Sequence, residues 1–315
     1  MLARELQPPV APGFSGKSLE RSKERDVKRF VTRAAFGVVV SLAAYGSASA
    51  APVTYTWNPS SVIGTAPAGN IVANNLIVSD FSDVTITGAT FTEGAVLTGV
   101  QFLLNGNPVP LNGLQSSYSF FATVTATGTI SGPIPTLGSG QTVNGTFTTA
   151  TYTFWANPNP QPAVTNNPGG TPTITGTAGA FPLFTGSLIS GTNGLTAVAA
   201  GPGVDPGYSP EADLNLTLTV CTAAGQPLAN GGTCSGNESA FFVNPLPADL
   251  ALAISNFSAT TSETSLTAGS PTFLDIHGGG GNVTFAVAPV PEPASLLVIG
   301  MGLVGLGMVR RRKRG

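Results

Sequence analysis

In Ser117–Ile130, SYSFFATVTATGTI, side chains alternate with a period of two. Tyr118, Phe120, Ala122, Val124 and Ala126 fall on one face, and Ser119, Thr123, Thr125 and Thr127 on the other, with Phe121 out of step. Ala212–Cys221, ADLNLTLTVC, repeats the pattern: Leu214, Leu216, Leu218 and Val220 oppose Asn215, Thr217, Thr219 and Cys221. Successive side chains of a strand point to opposite faces, so this alternation describes a strand with one face in a core and one in water. An amphipathic helix needs apolar residues at i, i+3, i+4 and i+7, and no stretch between Ala51 and Val290 sustains that spacing.

Similar runs occur at DVTITGATF, LTGVQFLLNG, GTFTTATYTFWAN, TPTITGT, ALAISNFSAT and NVTFAVAP, separated by turn-forming clusters such as NGNP, NPNPQP, NNPGG and GPGVDPG. The spacing predicts an all-β fold, an antiparallel β-sandwich or irregular barrel with long Gly/Pro/Asn-rich loops. A β-helix is the competing architecture, and the absence of a fixed repeat period counts against it. In GTFTTATYTFW the alternation slips between Phe147 and Ala150, which predicts a bulge near Thr148. Residues 51–289 read as one continuous domain, with Asn157 to Thr171 as the richest candidate linker and Gly201 to Gly207 as a second.

Charge is distributed unevenly. The chain has 13 Lys and Arg residues, and none lies between Ala34 and Val309. Acids are present throughout that interval: Asp80, Asp83, Glu93, Asp205, Glu211, Asp213, Glu238, Asp249, Glu263, Asp275 and Glu292. Nucleic-acid binding draws on Lys and Arg to neutralise phosphates, so no nucleic-acid partner is expected. Arg clamps, Lys Schiff bases and Lys or Arg ion pairs are excluded from the body for the same reason. Disorder does not follow, because 42% of residues are hydrophobic and 9% charged, a balance able to build a core.

The N-terminal stretch RSKERDVKRFVTRAAFGVVVSLAAYGSASAAP combines a basic segment, an apolar run from Ala34 to about Ala44, and small residues. This order reads as a secretory signal peptide over residues 1–50, with Ala48 and Ala50 as the small residues flanking the cleavage position. A membrane anchor is the alternative, and the apolar run is short for one. Export favours a disulfide between Cys221 and Cys234. Two free thiols or a metal pair are the other readings; two sulfurs with one distant histidine fall short of a four-ligand zinc site.

Little in the body points to catalysis. His277, the single histidine, lies two residues after Asp275, where both side chains share a strand face. They could form a metal or acid–base pair, or a polar strand end entering a glycine turn, and no third ligand or nucleophile accompanies them. Gly278 to Gly281 lack the Lys-Ser/Thr of a phosphate loop. Asp80 with Asp83, or Glu211 with Asp213, are the nearest acid neighbours for a glycosidase, and a solvated loop rim explains them more simply. Tyr55, Trp57, Tyr152, Phe154 and Trp155 are candidate sugar-stacking platforms or core residues. The threonine-rich strand faces could form a flat binding array, or simply the wet side of a sheet. No catalytic residue, metal site or cofactor is assigned.

The chain closes on VPEPASLLVIGMGLVGLGMVRRRKRG. Leu296 to Val309 would span about 21 Å as a helix against a hydrocarbon core of about 30 Å, marginal for a permanent anchor. Arg310, Arg311, Arg312, Lys313 and Arg314 form a basic stop that keeps this end cytoplasmic. Val290-Pro291-Glu292-Pro293-Ala294-Ser295, followed by a short Gly-rich apolar helix and a basic end, resembles the PEP-CTERM sorting signal. The resemblance covers the sorting region, residues 290–315, and divides it into a motif at 290–295, a transmembrane helix at 296–309 and a basic tail at 310–315. It implies a bacterial exported protein whose tail is recognised at Pro-Glu-Pro by an exosortase, with transient residence in the inner membrane before the cell surface or matrix. Members are commonly associated with exopolysaccharide and biofilm, and their bodies vary in fold. The expectation is a non-enzymatic structural or adhesive protein, with a polysaccharide as a candidate partner. A secreted carbohydrate-binding module using Trp57 or Trp155 is the alternative, and a glycoside hydrolase is a further one.

Overall fold

The computed structural model describes residues 53–202, 206–244, 250–258, 264–269 and 271–287. The signal peptide and the sorting region lie outside the described residues. Eight long strands organise the described chain: β1 (Asn75–Thr87), β2 (Thr90–Leu104), β3 (Ser119–Ile130), β4 (Thr142–Asn157), β5 (Phe181–Val198), β6 (Gly207–Thr217), β7 (Leu250–Ser258) and β8 (Thr272–Val287). Each pairs antiparallel with the next, and β8 returns to pair with β1, so the ladder closes on itself. Of the two all-β alternatives, the sheet takes the barrel, in simple up-and-down order. Closure removes the exposed edges that an open sheet must protect.

The alternation read from the sequence selects the two sides of the wall. Phe120, Ala122, Val124, Ala126, Leu214 and Leu216 are buried in the lumen, while Thr125, Thr129, Asn215 and Thr217 are exposed on the outside. Apolar-in and polar-out is the reverse of a barrel that faces lipid. The expected bulge is present: Thr127 faces Thr149 and Gly128 faces Phe147, which leaves Thr148 as the extra residue.

One barrel end is closed by a stopper. Strands Tyr55–Trp57, Ile71–Ala73 and Phe242–Asn244 form a three-stranded sheet, tied to the wall through the Val53 N–H donating to the Phe285 carbonyl at 2.7 Å. Trp57, 0% exposed, meets Phe102, Phe120, Phe154, Phe184 and Phe285, which come from five different wall strands. Tyr55, Phe241 and Phe242 complete its surroundings. The stopper fills this end with aromatic rings, mostly tilted or edge-on, the favoured arrangement for such pairs.

The two segments read as candidate linkers do not separate domains. Residues 158–180, between β4 and β5, lie as a strap on the outer wall and carry a short hairpin, Ala163–Thr165 with Thr173–Thr175. The Asn166 side-chain amide donates to the Ser82 and Ile276 carbonyls, spanning β1 and β8. A Cβ on Gly94 would lie 2.6 Å from Thr171 Oγ1, so the strap approaches β2 as closely as it does only because that position is glycine. At the strap root, buried Asn157 donates to Ser119 Oγ and to the Gly176 carbonyl. The Pro, Asn and Gly content that suits a linker also suits a loop held by side-chain to backbone hydrogen bonds, and tertiary partners decided between them. Gly201 to Gly207 joins β5 to its neighbour β6 within the same sheet.

Cys221 and Cys234 are disulfide-bonded with Cα atoms 5.5 Å apart. Their loop folds over the outer wall. Asn230 Nδ2 donates to Thr123 Oγ1 at 3.0 Å, and the Ala229 N–H donates to Thr185 Oγ1 at 2.9 Å. Replacing both cysteines by serine is expected to lower stability by about 3 kcal/mol, the chain-entropy value for a loop of this length. Urea unfolding of the oxidised protein and the double variant measures it, and an unchanged midpoint would show that the loop is held by its hydrogen bonds alone.

Candidate functional site

The outer face of β2 to β5 is a hydroxyl surface. Registered rows run across the strands: Thr90, Thr129, Thr146 and Thr192; Thr92, Thr127 and Thr149; Thr125, Thr151 and Ser187. Neighbours in these rows hydrogen-bond to one another, Thr125 to Thr151 at 2.9 Å, Thr127 to Thr149 at 2.7 Å and Thr129 to Thr146 at 3.3 Å. Thr148, placed outward by the bulge, joins Thr127 at 3.0 Å. The next row, Thr123, Thr153 and Thr185, is covered by the disulfide loop. The face therefore presents ordered, uncharged donors and acceptors, held in step by the strand register.

The candidate sugar-stacking aromatics are placed differently from that expectation. Tyr55, Trp57, Tyr152 and Phe154 are 3% exposed or less. Their presence on inward strand positions made them core, so Trp57 cannot meet a glycan. Trp155 is half-buried on the outer wall, parallel to Phe121 at 5.9 Å, with its Nε1 donating to Thr123 Oγ1. It packs against Cys221, Leu228 and Cys234 and forms the floor beneath the disulfide loop. Phe121, out of step in the sequence, is buried on the outer side of the wall against this same ring.

The acid pairs suggested by sequence neighbourhood are not the spatial ones. Asp80 points into the lumen and Asp83 to the outside, and Glu211 and Asp213 are exposed on β6. Two other pairings occur. Inside, Asp80 accepts a hydrogen bond from Ser82, and Glu93 lies near the same hydroxyl. Burial raises the Glu93 carboxyl to about 7, partly offset by Ser82. Burial, with the neighbouring Glu93 charge, raises Asp80 well above the ordinary carboxylate range. These residues were legible in principle: Leu76, Val78, Asp80, Ser82, Val84 and Ile86 share one phase of β1, as do Phe91, Glu93, Ala95 and Leu97 on β2.

Outside, Asp83 and Asp275 face each other in register across β1 and β8, both under 5% exposed. Asp83 accepts the strap's Asn167 N–H at 2.8 Å and lies against the Asp275 carboxyl, which helps to raise it. Burial raises Asp83 to about 6, Asp275 adds to the rise, and the Asn167 N–H and His277 oppose it. Asp275 and His277 thus share a face as expected. The expectation of a strand end at His277 is not met, because β8 continues through the glycines with an irregularity between His277 and Gly279, where Gly278 has φ of +76°. Among the described residues there is no group of three or more His, Cys, Asp or Glu able to hold a metal.

The sorting region is matched by a known family motif. A PEP-CTERM protein-sorting motif matches residues 289–313. The chain carries an exosortase sorting signal. The motif covers Val290, Pro291, Glu292 and Pro293, the apolar run, and the basic residues to Lys313. It marks an exported protein with exosortase as its processing partner. No curated protein and no solved structure matches the chain at significance. The body of this sorting-motif-bearing chain is therefore read from its own geometry.

Proposed function

We propose that this exosortase substrate is a non-enzymatic structural or adhesive component of the cell surface or extracellular matrix, associated with exopolysaccharide or biofilm. The carrying observation is the exposed threonine lattice of β2 to β5, a neutral hydrogen-bonding surface on a closed barrel. Hydroxyl-rich polysaccharide chains offer matching donors and acceptors, and neither side brings charge that must be desolvated. The internal acid pair faces a cavity of about 100 Å³, too small for two sugar units, and the external pair lies beneath the strap, which supports a role without glycoside hydrolysis. Binding of the exported protein to isolated matrix polysaccharide tests the surface. Replacing Thr125, Thr127 and Thr129 by valine is expected to reduce co-sedimentation severalfold, and unchanged co-sedimentation would remove the lattice from the interaction.

Processing has its own test. The matched motif makes Pro291-Glu292-Pro293 the segment at which an exosortase would engage the chain. Glu292→Ala, or alanine at both prolines, is expected to leave tail-bearing precursor in the inner-membrane fraction. Immunoblots of cell fractions measure it, and normal release of the variants would refute recognition at this motif.

A further inference from the structure

The barrel is filled at the stopper end by aromatic rings and at the other by Val143, Leu195, Ala197, Tyr208 and Leu274. Within it lies a cavity of about 100 Å³. Its walls are largely apolar, with Phe91, Leu97, Phe147, Leu195, Leu214 and Ile276 among them. Into these walls β1 and β2 bring two carboxyl groups, Asp80 and Glu93. The Ser82 hydroxyl donates to Asp80 and lies close enough to Glu93 to lower its carboxyl slightly.

Two carboxyl groups in an apolar lumen require a counter-charge or must stay protonated. The chain offers no internal cation to them, because Lys and Arg are absent from 34 to 309. His277, its single histidine, lies on the outer side of the wall beside Asp83 and Asp275. The other titratable groups of the described interior are Glu211, which borders the cavity, Tyr152, Tyr208 and Tyr118, whose hydroxyls donate to the Thr217, Pro135 and Asn112 carbonyls, and Tyr55 in the stopper. Without a cation the pair holds its protons, and a charged partner for it can come only from a molecule that enters.

We propose that the lumen is a binding site for a small organic cation, an alkylammonium with an apolar body of about four carbons, whose charged head is held between Asp80 and Glu93. An engineered cavity of about 150 Å³ takes benzene, which sets the scale for a somewhat smaller guest here. An ammonium group brings three donors to the two carboxyl groups, and its carbon chain meets the aliphatic and aromatic wall. The eight-stranded closed barrel suits such a role, since its interior is just wide enough for side chains or one small ligand. This site is independent of the threonine lattice, which lies on the opposite side of the wall.

Titration calorimetry of the exported protein with butylammonium and with butan-1-ol tests the proposal. At pH 8 the ammonium is expected to bind at least about tenfold more tightly than the alcohol, and the preference is expected to vanish near pH 5, where the carboxyls hold their protons. Near pH 7 binding is expected to release protons, read from buffers of different ionisation enthalpy. Glu93→Gln should remove most of the preference. Ala95→Leu, which fills the lumen, should abolish binding of both compounds, with circular dichroism reporting the fold. Raised salt separates the buried site from attraction to the acidic exterior, which is screened. Equal affinity for the two compounds at pH 8, absence of binding, or ammonium binding that survives Ala95→Leu in the folded protein would overturn the assignment.

Discussion

Trp57→Ala is expected to cost about 4 kcal/mol, at the upper end of large-to-small substitutions in cores. The indole is completely buried and touches rings from five wall strands, so truncation opens a void that no single strand can close. Against a total stability of about 5–15 kcal/mol for an ordinary domain, that loss is large enough to unfold the stoppered end at physiological temperature. Trp57→Phe should cost far less, about 1–2 kcal/mol. It keeps an aromatic ring in place, and it removes an indole Nε1 that is buried with no hydrogen-bond partner, a group whose burial is itself unfavourable. Urea unfolding followed by the fluorescence of Trp155 gives both values. A Trp57→Ala midpoint close to wild type would mean that the stopper sheet contributes little and the barrel stands without it.

Stability is expected to rise on acidification from pH 8 to pH 5, by roughly 2–4 kcal/mol. The sign follows from the raised carboxyls. Glu93 titrates at about 7 and Asp83 at about 6 in the folded chain, and both return to near 4 when unfolded. The folded state therefore binds these protons more tightly. Their contribution is complete below about pH 4 and is lost as the pH rises through about 6 for Asp83 and about 7 for Glu93. Asp80 acts in the same direction. Carboxylates paired with Lys or Arg lose their contribution mainly below about pH 5, and residues 34–309 hold no Lys or Arg for such pairs. Urea midpoints across pH 5 to 8 test the slope. General relief of repulsion between surface acids has the same sign, so Glu93→Gln separates the two: it should flatten the profile and raise the midpoint at pH 8. A profile unchanged by Glu93→Gln would assign the effect to the surface.

The sorting region was legible because its information is local: order, spacing and residue type within about 25 residues suffice for a protease and a membrane to read. The wall strands were legible for a similar reason, since period-two alternation is a property of neighbouring residues. Asp83 with Asp275, by contrast, is 192 positions apart in the chain and is created by the pairing of β8 with β1 that closes the barrel. Trp57 and Trp155 show the same division. Both are aromatic residues in strand-like contexts, and only the stopper and the disulfide loop make one a core hub and the other a floor.

The sequence by itself determined that this protein is exported, that it is built from antiparallel strands, and that its body holds acids without cations. Alternation, motif order and charge are all fixed by residues near one another in the chain. Tertiary structure alone decided that the sheet closes into a barrel, that the Asn157 to Thr171 segment is a strap, and that Asp80 and Glu93 meet in an apolar lumen. Those outcomes depend on which strand edge meets which, and on long loops laid across the wall. Contacts between residues tens to hundreds of positions apart leave no periodic trace in the order of residues.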